Sequence, residues 1–225
     1  MPKQVDHESR RRQIAEAVCR LADESGLEGV TLRDVAARAG VSMGAVQRCF
    51  RTKEEMLVFA LTHIGERVSA RVAARLVASP AQSARTVLGH ATTEISLLRE
   101  EHRAEARVWL AFLAQAAVSP SLAETLRANY ADLETVFTRL IMEATGATRA
   151  TRATRATRAT KSIGTATGTG ATDRAGTRDP ECEARTLLAL ADGLTTHVLI
   201  GHLSPDTALE VLDTHLNRLW GESTT

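Results

Sequence analysis

The residues best suited to chemistry crowd into one short stretch, residues 31–53, which reads TLRDVAARAGVSMGAVQRCFRTK. Within it Arg48, Arg51 and Lys53 are fixed cations, and no Asp or Glu lies between Ser42 and Lys53. Such a surface suits phosphate oxygens, whose contacts set affinity and its salt dependence, while neighbouring groups that reach base edges set sequence preference. The small residues Ser42, Gly44 and Ala45 leave one helix end unobstructed, so the backbone can approach a DNA groove closely. The rival chemistry is catalysis. Seven histidines are available, but there is no H-E-x-x-H, no G-x-S-x-G and no paired Cys/His spacing. His197 and His202 are five apart and do not share a helix face. Gly164–Gly170 contains G-x-x-x-G-x-G, but no strand precedes it. An enzyme, a metal site and a bound cofactor are therefore not expected.

The elements that must position these residues are helical. Capping boxes at Thr31 with Asp34 and at Thr52 with Glu55 mark two helix starts. Ser79-Pro80, Ser119-Pro120, Asp179-Pro180 and Ser204-Pro205 mark four more, because proline is tolerated at the first helical position and pushes its predecessor into cap geometry. Apolar spacing between these marks predicts nine helices: near 9–25, 32–39, 43–50, 53–77, 81–100, 103–117, 120–145, 180–202 and 206–220. Val35, Ala36, Ala39, Val41, Val46 and Phe50 form a small shared core around a turn at Gly40, which can take positive φ. A short capped helix, a glycine turn and a second short helix in about twenty residues have helix-turn-helix spacing.

Composition agrees. Aromatics are 3% of the 225 residues against 44% hydrophobic overall, so Ala, Leu and Val build the core, which favours helices over sheets. Net charge is +1, yet residues 10–53 hold nine Lys/Arg against five Asp/Glu, and residues 181–225 hold two against seven. The positive charge gathers at the N-terminal end. Three widely spaced cysteines fit a reduced, cytoplasmic protein. The N-terminus is too polar for a signal peptide, and no apolar run is long enough to span a bilayer, so no membrane partner is expected. Residues 147–161 repeat Ala-Thr-Arg and lack large apolar side chains. They read as a disordered insert spanning 146–179.

Residues 10–64 resemble the TetR family of bacterial regulators. The family pattern looks like G-x-x-x-T-[VL]-R-[DE]-[IV]-A-x-x-A-G-V-S-x-G, with F-x-[SN]-K-E-x-[LM] after it, and the chain matches it from Thr31 to Gly44 and again at Phe50, Lys53, Glu54 and Met56. VWLAFLAQAAVSPSL and LADGLTTHVLIGHLSPDTALEVLDTHL resemble the BetI-like subgroup. The resemblance implies an all-α chain: a flexible N-terminus at 1–9, a DNA-binding domain at 10–68, and a ligand-binding and dimerisation domain at 69–225. It implies a repressor that small-molecule effectors release from a pseudo-palindromic, double-stranded operator. It assigns phosphate contacts to Thr31 and Lys53, a guanine edge to Arg33, bases or sugars to Ser42, Met43, Gly44 and Ala45, and either kind of contact to Arg48. Two positions in the second short helix depart from the family's usual residues. Gln47 replaces Tyr and can donate to phosphate or read adenine, and Cys49 replaces His or Tyr. These departures keep open the alternative of a dimeric interaction module whose DNA binding has lapsed.

Two recognition helices must be paired to read two half-sites one turn apart. Leu209, Leu212, Leu216 and Leu219 are spaced like a coiled-coil seam, and Leu190, Leu194 and Val198 offer a matching face. The resemblance makes these a four-helix homodimer bundle. The aromatics gather in the middle of the chain, so Trp109, Phe112, Tyr130 and Phe137, with Thr93, Gln115 and His197, are the expected lining of an effector pocket.

Overall fold

The computed structural model describes residues 2–78, 83–162 and 179–220. Among them the regular elements are nine α-helices and one 3-10 turn. They are α1 (Pro2–Ser25), α2 (Leu32–Ala39), α3 (Met43–Cys49), α4 (Lys53–Val77), α5 (Ala84–Ile95), α6 (Arg103–Ala116), α7 (Pro120–Ser162), α8 (Pro180–Leu199) and α9 (Pro205–Leu219). The caps act as their residue types predict. Thr31, Thr52, Asp179 and Ser204 each accept a hydrogen bond from a backbone N–H of the turn they open, supplying orphan donors with partners. The start expected at Ser79-Pro80 lies outside the described residues. α5 opens instead at Ser83, which accepts from the Thr86 N–H.

Two sequence expectations need correction. The N-terminus is not an unstructured lead-in, because α1 begins at Pro2. The insert is not a loop from residue 146, because α7 continues through Ser162. Ala and Arg are among the strongest helix formers, and residues 147–162 contain neither Gly nor Pro. Adding turns to a nucleated helix costs far less than starting one, so burial is not required for it to continue. The rest of the expected insert, 163–178, lies outside the described residues.

The helices pack around two apolar clusters. The first joins Ile14, Val18 and Leu21 of α1, Val35 and Ala39 of α2, Val46 of α3, and Met56, Leu61 and Ile64 of α4. It also takes in Val108, Phe112 and Ala116 of α6 and Leu122 and Leu126 of α7. The second joins Leu88 of α5, Phe137 and Leu140 of α7, Leu187 and Leu194 of α8, and Leu212 and Leu216 of α9. α4 leaves the first cluster after Ile64 and meets the edge of the second at Val72. The first cluster thus closes the N-terminal helices against the α6–α7 corner. Asp23 of α1 pairs with Arg107 of α6 at 2.6 Å, and the Ser121 hydroxyl of α7 donates to Glu54 of α4.

The leucine seam also needs correction. Leu194, Val198, Leu212, Leu216 and Leu219 are buried within the protomer itself, and Leu190 and Leu209 are half-buried against the same cluster. α9 lays this stripe on α5 and α8. Arg85 of α5 helps fasten it, donating to Asn217 at 3.0 Å and lying over the Trp220 ring.

Candidate nucleic-acid interface

α2 and α3 meet through a turn that only a residue free to take positive φ accommodates cheaply. Gly40 sits at φ 65 and its N–H bonds the Ala37 carbonyl, while the Val41 N–H bonds the Ala36 carbonyl. That pattern ends a helix with a left-handed residue and turns the chain sharply. α1 holds the pair from behind. The Gln13 side chain donates to the Ala39 carbonyl at 2.7 Å, and Arg38 forks onto Glu24 at 2.8 and 2.6 Å. Phe50, 1% exposed, anchors the far end of α3. It meets Phe59 at 5.4 Å between ring centroids, and the Arg11 guanidinium lies over both rings.

This packing divides α3 into two faces. Ala45, Val46 and Cys49 are buried, whereas Met43, Gln47 and Arg48 are exposed and Gly44 is half-exposed. Ala45, expected to face bases, instead points inward, because the i, i+1 and i+4 positions 45, 46 and 49 together seal the small core. Ser42 caps the helix, its hydroxyl accepting from the Ala45 N–H at 3.2 Å. The Arg48 guanidinium lies alongside Gly44, where an added Cβ would meet its Nη1 at 3.5 Å. Gly44, Gln47 and Arg48 therefore form one continuous outward surface with Met43.

Around that surface stand Thr31 and Arg33 at the start of α2, both exposed, and Lys53 at the start of α4. Thr31 is shared with Asp34: its hydroxyl accepts from the Asp34 N–H and donates to the Asp34 carboxylate at 2.6 Å. Lys53 Nζ reaches the Leu27 carbonyl at 3.4 Å, which holds its charge near the α1–α2 loop. Glu55, two residues after Lys53, is engaged elsewhere. It accepts from the Arg51 N–H at 2.9 Å and faces Arg11 at 3.7 Å. Of the expected residues, Ala45 alone is buried, Gly44 is half-exposed and the rest are exposed.

The seven expected pocket residues do not converge. Phe112 is buried in the first cluster and Phe137 in the second. Thr93 spends its hydroxyl on the Gly89 carbonyl, and Gln115 is half-buried. His197 is exposed at the end of α8, so its expected place in the pocket is corrected. Trp109 and Tyr130 do meet, 6.2 Å apart in an edge-on arrangement. Between them sits Asp192, which sequence reasoning missed. It accepts from the Trp109 indole N–H at 2.9 Å and from the Tyr130 hydroxyl. Burial, and then this hydrogen bond, raises the Tyr130 pKa well above the ordinary phenol value. An acid on an otherwise apolar α8 stripe was the available signal.

A second missed feature is a charged ladder on α4. Arg71 bonds Glu94 of α5 at 3.1 Å and Glu105 of α6 at 2.9 Å, and Arg75 bonds Glu94 at 2.5 Å. Glu94 is 2% exposed and His102 approaches it at 3.7 Å. The C-terminal half of α4 is thereby tied to α5 and α6. Burial pushes the Cys19 thiol up to about 11, so it is not a reactive thiolate. Among the described residues no group of three or more His, Cys, Asp or Glu could hold a metal ion, and no helix is long and apolar enough to cross a membrane.

A helix-turn-helix packed against a helical body with its own second core defines a DNA-binding regulator, and comparison with known proteins places it. Residues 14–58 match the model for bacterial regulatory proteins of the tetR family, and residues 84–168 and 165–221 match the C-terminal model of BetI-type transcriptional repressors. The chain belongs to the TetR family of transcriptional regulators, which leaves the enzyme reading without support. It is 41% identical over 118 residues to the HTH-type transcriptional regulator PksA of Bacillus subtilis, a match covering 52% of this chain and 56% of that protein. It is 28% identical over 152 residues to the regulator BetI of Serratia proteamaculans, covering 64% and 75%. A transcriptional regulator from Rhodococcus superposes with TM-score 0.70 and 30% identity over 94% of this chain and 96% of that one. A regulator from Saccharomonospora viridis, solved in complex with choline, superposes with TM-score 0.68 and 23% identity, covering 93% and 96%.

Proposed function

We propose that this regulator is a repressor that grips a pseudo-palindromic operator as a homodimer and lets go when a small molecule occupies its C-terminal half. The observation that carries the DNA reading is the two-faced α3, whose outward surface is Met43, Gly44, Gln47 and Arg48 without an acid. In this reading α3 lies in the major groove. Gln47 and Arg48 reach base edges or phosphates, Arg33 reaches a base edge, and Thr31, Ser42 and Lys53 hold backbone phosphates. Ala45 acts only by setting the pitch of the helix.

The dimer face is the part of α8 and α9 that the protomer leaves uncovered, not the leucine seam. Ala189, Gly193 and Thr196 follow i, i+4, i+7 on α8 and Ile200 continues the stripe at its C-cap, all exposed or half-exposed, with Ile200 71% exposed. Thr207, Val211 and Thr214 repeat that spacing on α9. Small side chains allow close helix approach, and the two stripes suit a four-helix bundle with a second copy.

The effector site we assign is the neighbourhood of Asp192, Trp109 and Tyr130. Two neutral donors hold this carboxylate, and it has no cationic partner among the described residues. A ligand carrying positive charge would complete it, assisted by the two ring faces. The choline-bound fold neighbour indicates only that this scaffold can enclose a small organic cation. Occupation would push on α6, because Trp109 adjoins Val108 and Phe112 in the first cluster and Arg107 on Asp23. α6 thus joins α4 as a route to the DNA-binding helices. A ligand shifts operator affinity only by its preference for one of the two arrangements.

Selection of bound fragments from the source genome by the purified full chain, followed by gel shift, tests the reading. A recurring inverted repeat is expected. Indifferent binding to every duplex at moderate salt would favour the lapsed interaction module and refute ours.

A further inference from the structure

The corner between α8 and α9 brings together two histidines that their sequence separation keeps apart on a straight helix. α8 stops at Leu199, and Gly201 takes φ 75, a left-handed conformation that reverses the chain. The His202 N–H then bonds the His197 carbonyl at 2.9 Å, and the Leu203 N–H bonds the same carbonyl at 3.2 Å. This cap fixes the turn, and it sets the His197 and His202 rings with centroids 4.9 Å apart and planes at 54°. Both residues are exposed.

We propose that His197 and His202 form a chelating site for a late first-row divalent metal ion. Two imidazoles that share one ion at a metal–nitrogen distance of ~2.0–2.1 Å, with right-angle to tetrahedral geometry, place their ring centroids about 4.5–5.2 Å apart. The observed 4.9 Å lies inside that window. Imidazole is a ligand for Zn, Cu and Ni alike, whereas carboxylate-rich sites suit Mg and Ca. The carbonyl end of α8 faces this corner, and its partial negative charge favours a cation there. No third His, Cys, Asp or Glu completes the set among the described residues. Solvent, or the same two histidines of a second copy packed on the neighbouring Ile200 face, fills the remaining positions. The pair uses no residue of the Asp192 site or of the DNA-binding surface, so metal binding by a single chain can fail or succeed independently of the function proposed above, and only the shared arrangement rests on the dimer face.

The test is calorimetric titration of Ni2+ into the tag-free full chain, in a Cys182→Ser background because Cys182 is an exposed thiol. One saturable site is expected per chain, or one per two chains when copies share the ion. His197→Ala and His202→Ala should each weaken binding by at least about tenfold, the loss of 1.4 kcal/mol that one ligand readily supplies. Gly201→Ala keeps both histidines but strains the turn, and should weaken binding as well. Circular dichroism of each variant verifies that the helices persist. Heat indistinguishable from buffer dilution, or binding that survives both histidine substitutions, overturns the proposal.

Discussion

Glu94→Gln isolates how strongly α4 is held to α5. The carboxylate is 2% exposed, with Arg71 at 3.1 Å and Arg75 at 2.5 Å. Glutamine keeps the volume and one acceptor but removes the charge. Stripping a partner from a fully buried pair costs about 3–5 kcal/mol. Here Arg71 and Arg75 are 24% and 31% exposed, and Arg71 keeps Glu105 at 2.9 Å. Both guanidiniums can lean toward water, which lowers the expected loss to about 2 kcal/mol. For a chain of this length that corresponds to a fall in Tm of about 4–8 °C. Differential scanning calorimetry, with urea titration as a two-state check, reads it. Glu134→Gln removes the partner of the exposed Arg185 and should leave Tm unchanged. A drop for Glu94→Gln below about 1 °C, or equal drops for both variants, would mean that the ladder does not bind α4 to α5 and would remove it from any switching scheme.

Three further outcomes follow from the geometry. Lys53→Ala should weaken binding to all duplexes alike and flatten the salt slope by about one per half-site, whereas Arg33→Ala should cost about 1–3 kcal/mol on the selected operator and little on mismatched DNA; gel shifts at several salt concentrations distinguish them. Leu212→Ala, at a fully buried position, should destabilise the protomer by about 2–5 kcal/mol, while Ile200→Asp should leave the fold intact and split the proposed dimer in analytical ultracentrifugation; the reverse pattern would restore the leucine seam as the proposed interface. Tyr130 is the one tyrosine of the chain, so tyrosinate absorbance reports it alone. Its pKa is raised in the fold, so the protonated phenol stabilises the native state fully below the ordinary phenol range of ~10. That contribution declines as pH rises above this range, when the unfolded chain ionises first. Native protein should therefore show no tyrosinate step near pH ~10 that urea-unfolded protein shows. A normal step in native protein would dissolve the Asp192–Tyr130 contact.

Local chemistry decided what was readable from the chain alone. Thr31, Thr52, Asp179 and Ser204 announce helix starts because a cap needs only its own first turn, and Gly40 announces the turn because few residues accept positive φ. The helix-turn-helix was legible for the same reason: its core, Val35 to Phe50, is assembled from neighbours. Tertiary structure decided which way each stripe points. Leu212 and Leu216 have the spacing of an intermolecular seam, yet they line the protomer's own core, because periodicity reveals that a face is buried and not against what. Ala45 turned inward for the same reason. Asp192 and Glu94 were silent in sequence because their partners come from α6, α7 and α4, far along the chain, and a buried acid is recognisable only once the groups that satisfy it are in place. His197 and His202, kept apart by helical arithmetic, meet only because Gly201 ends the helix between them.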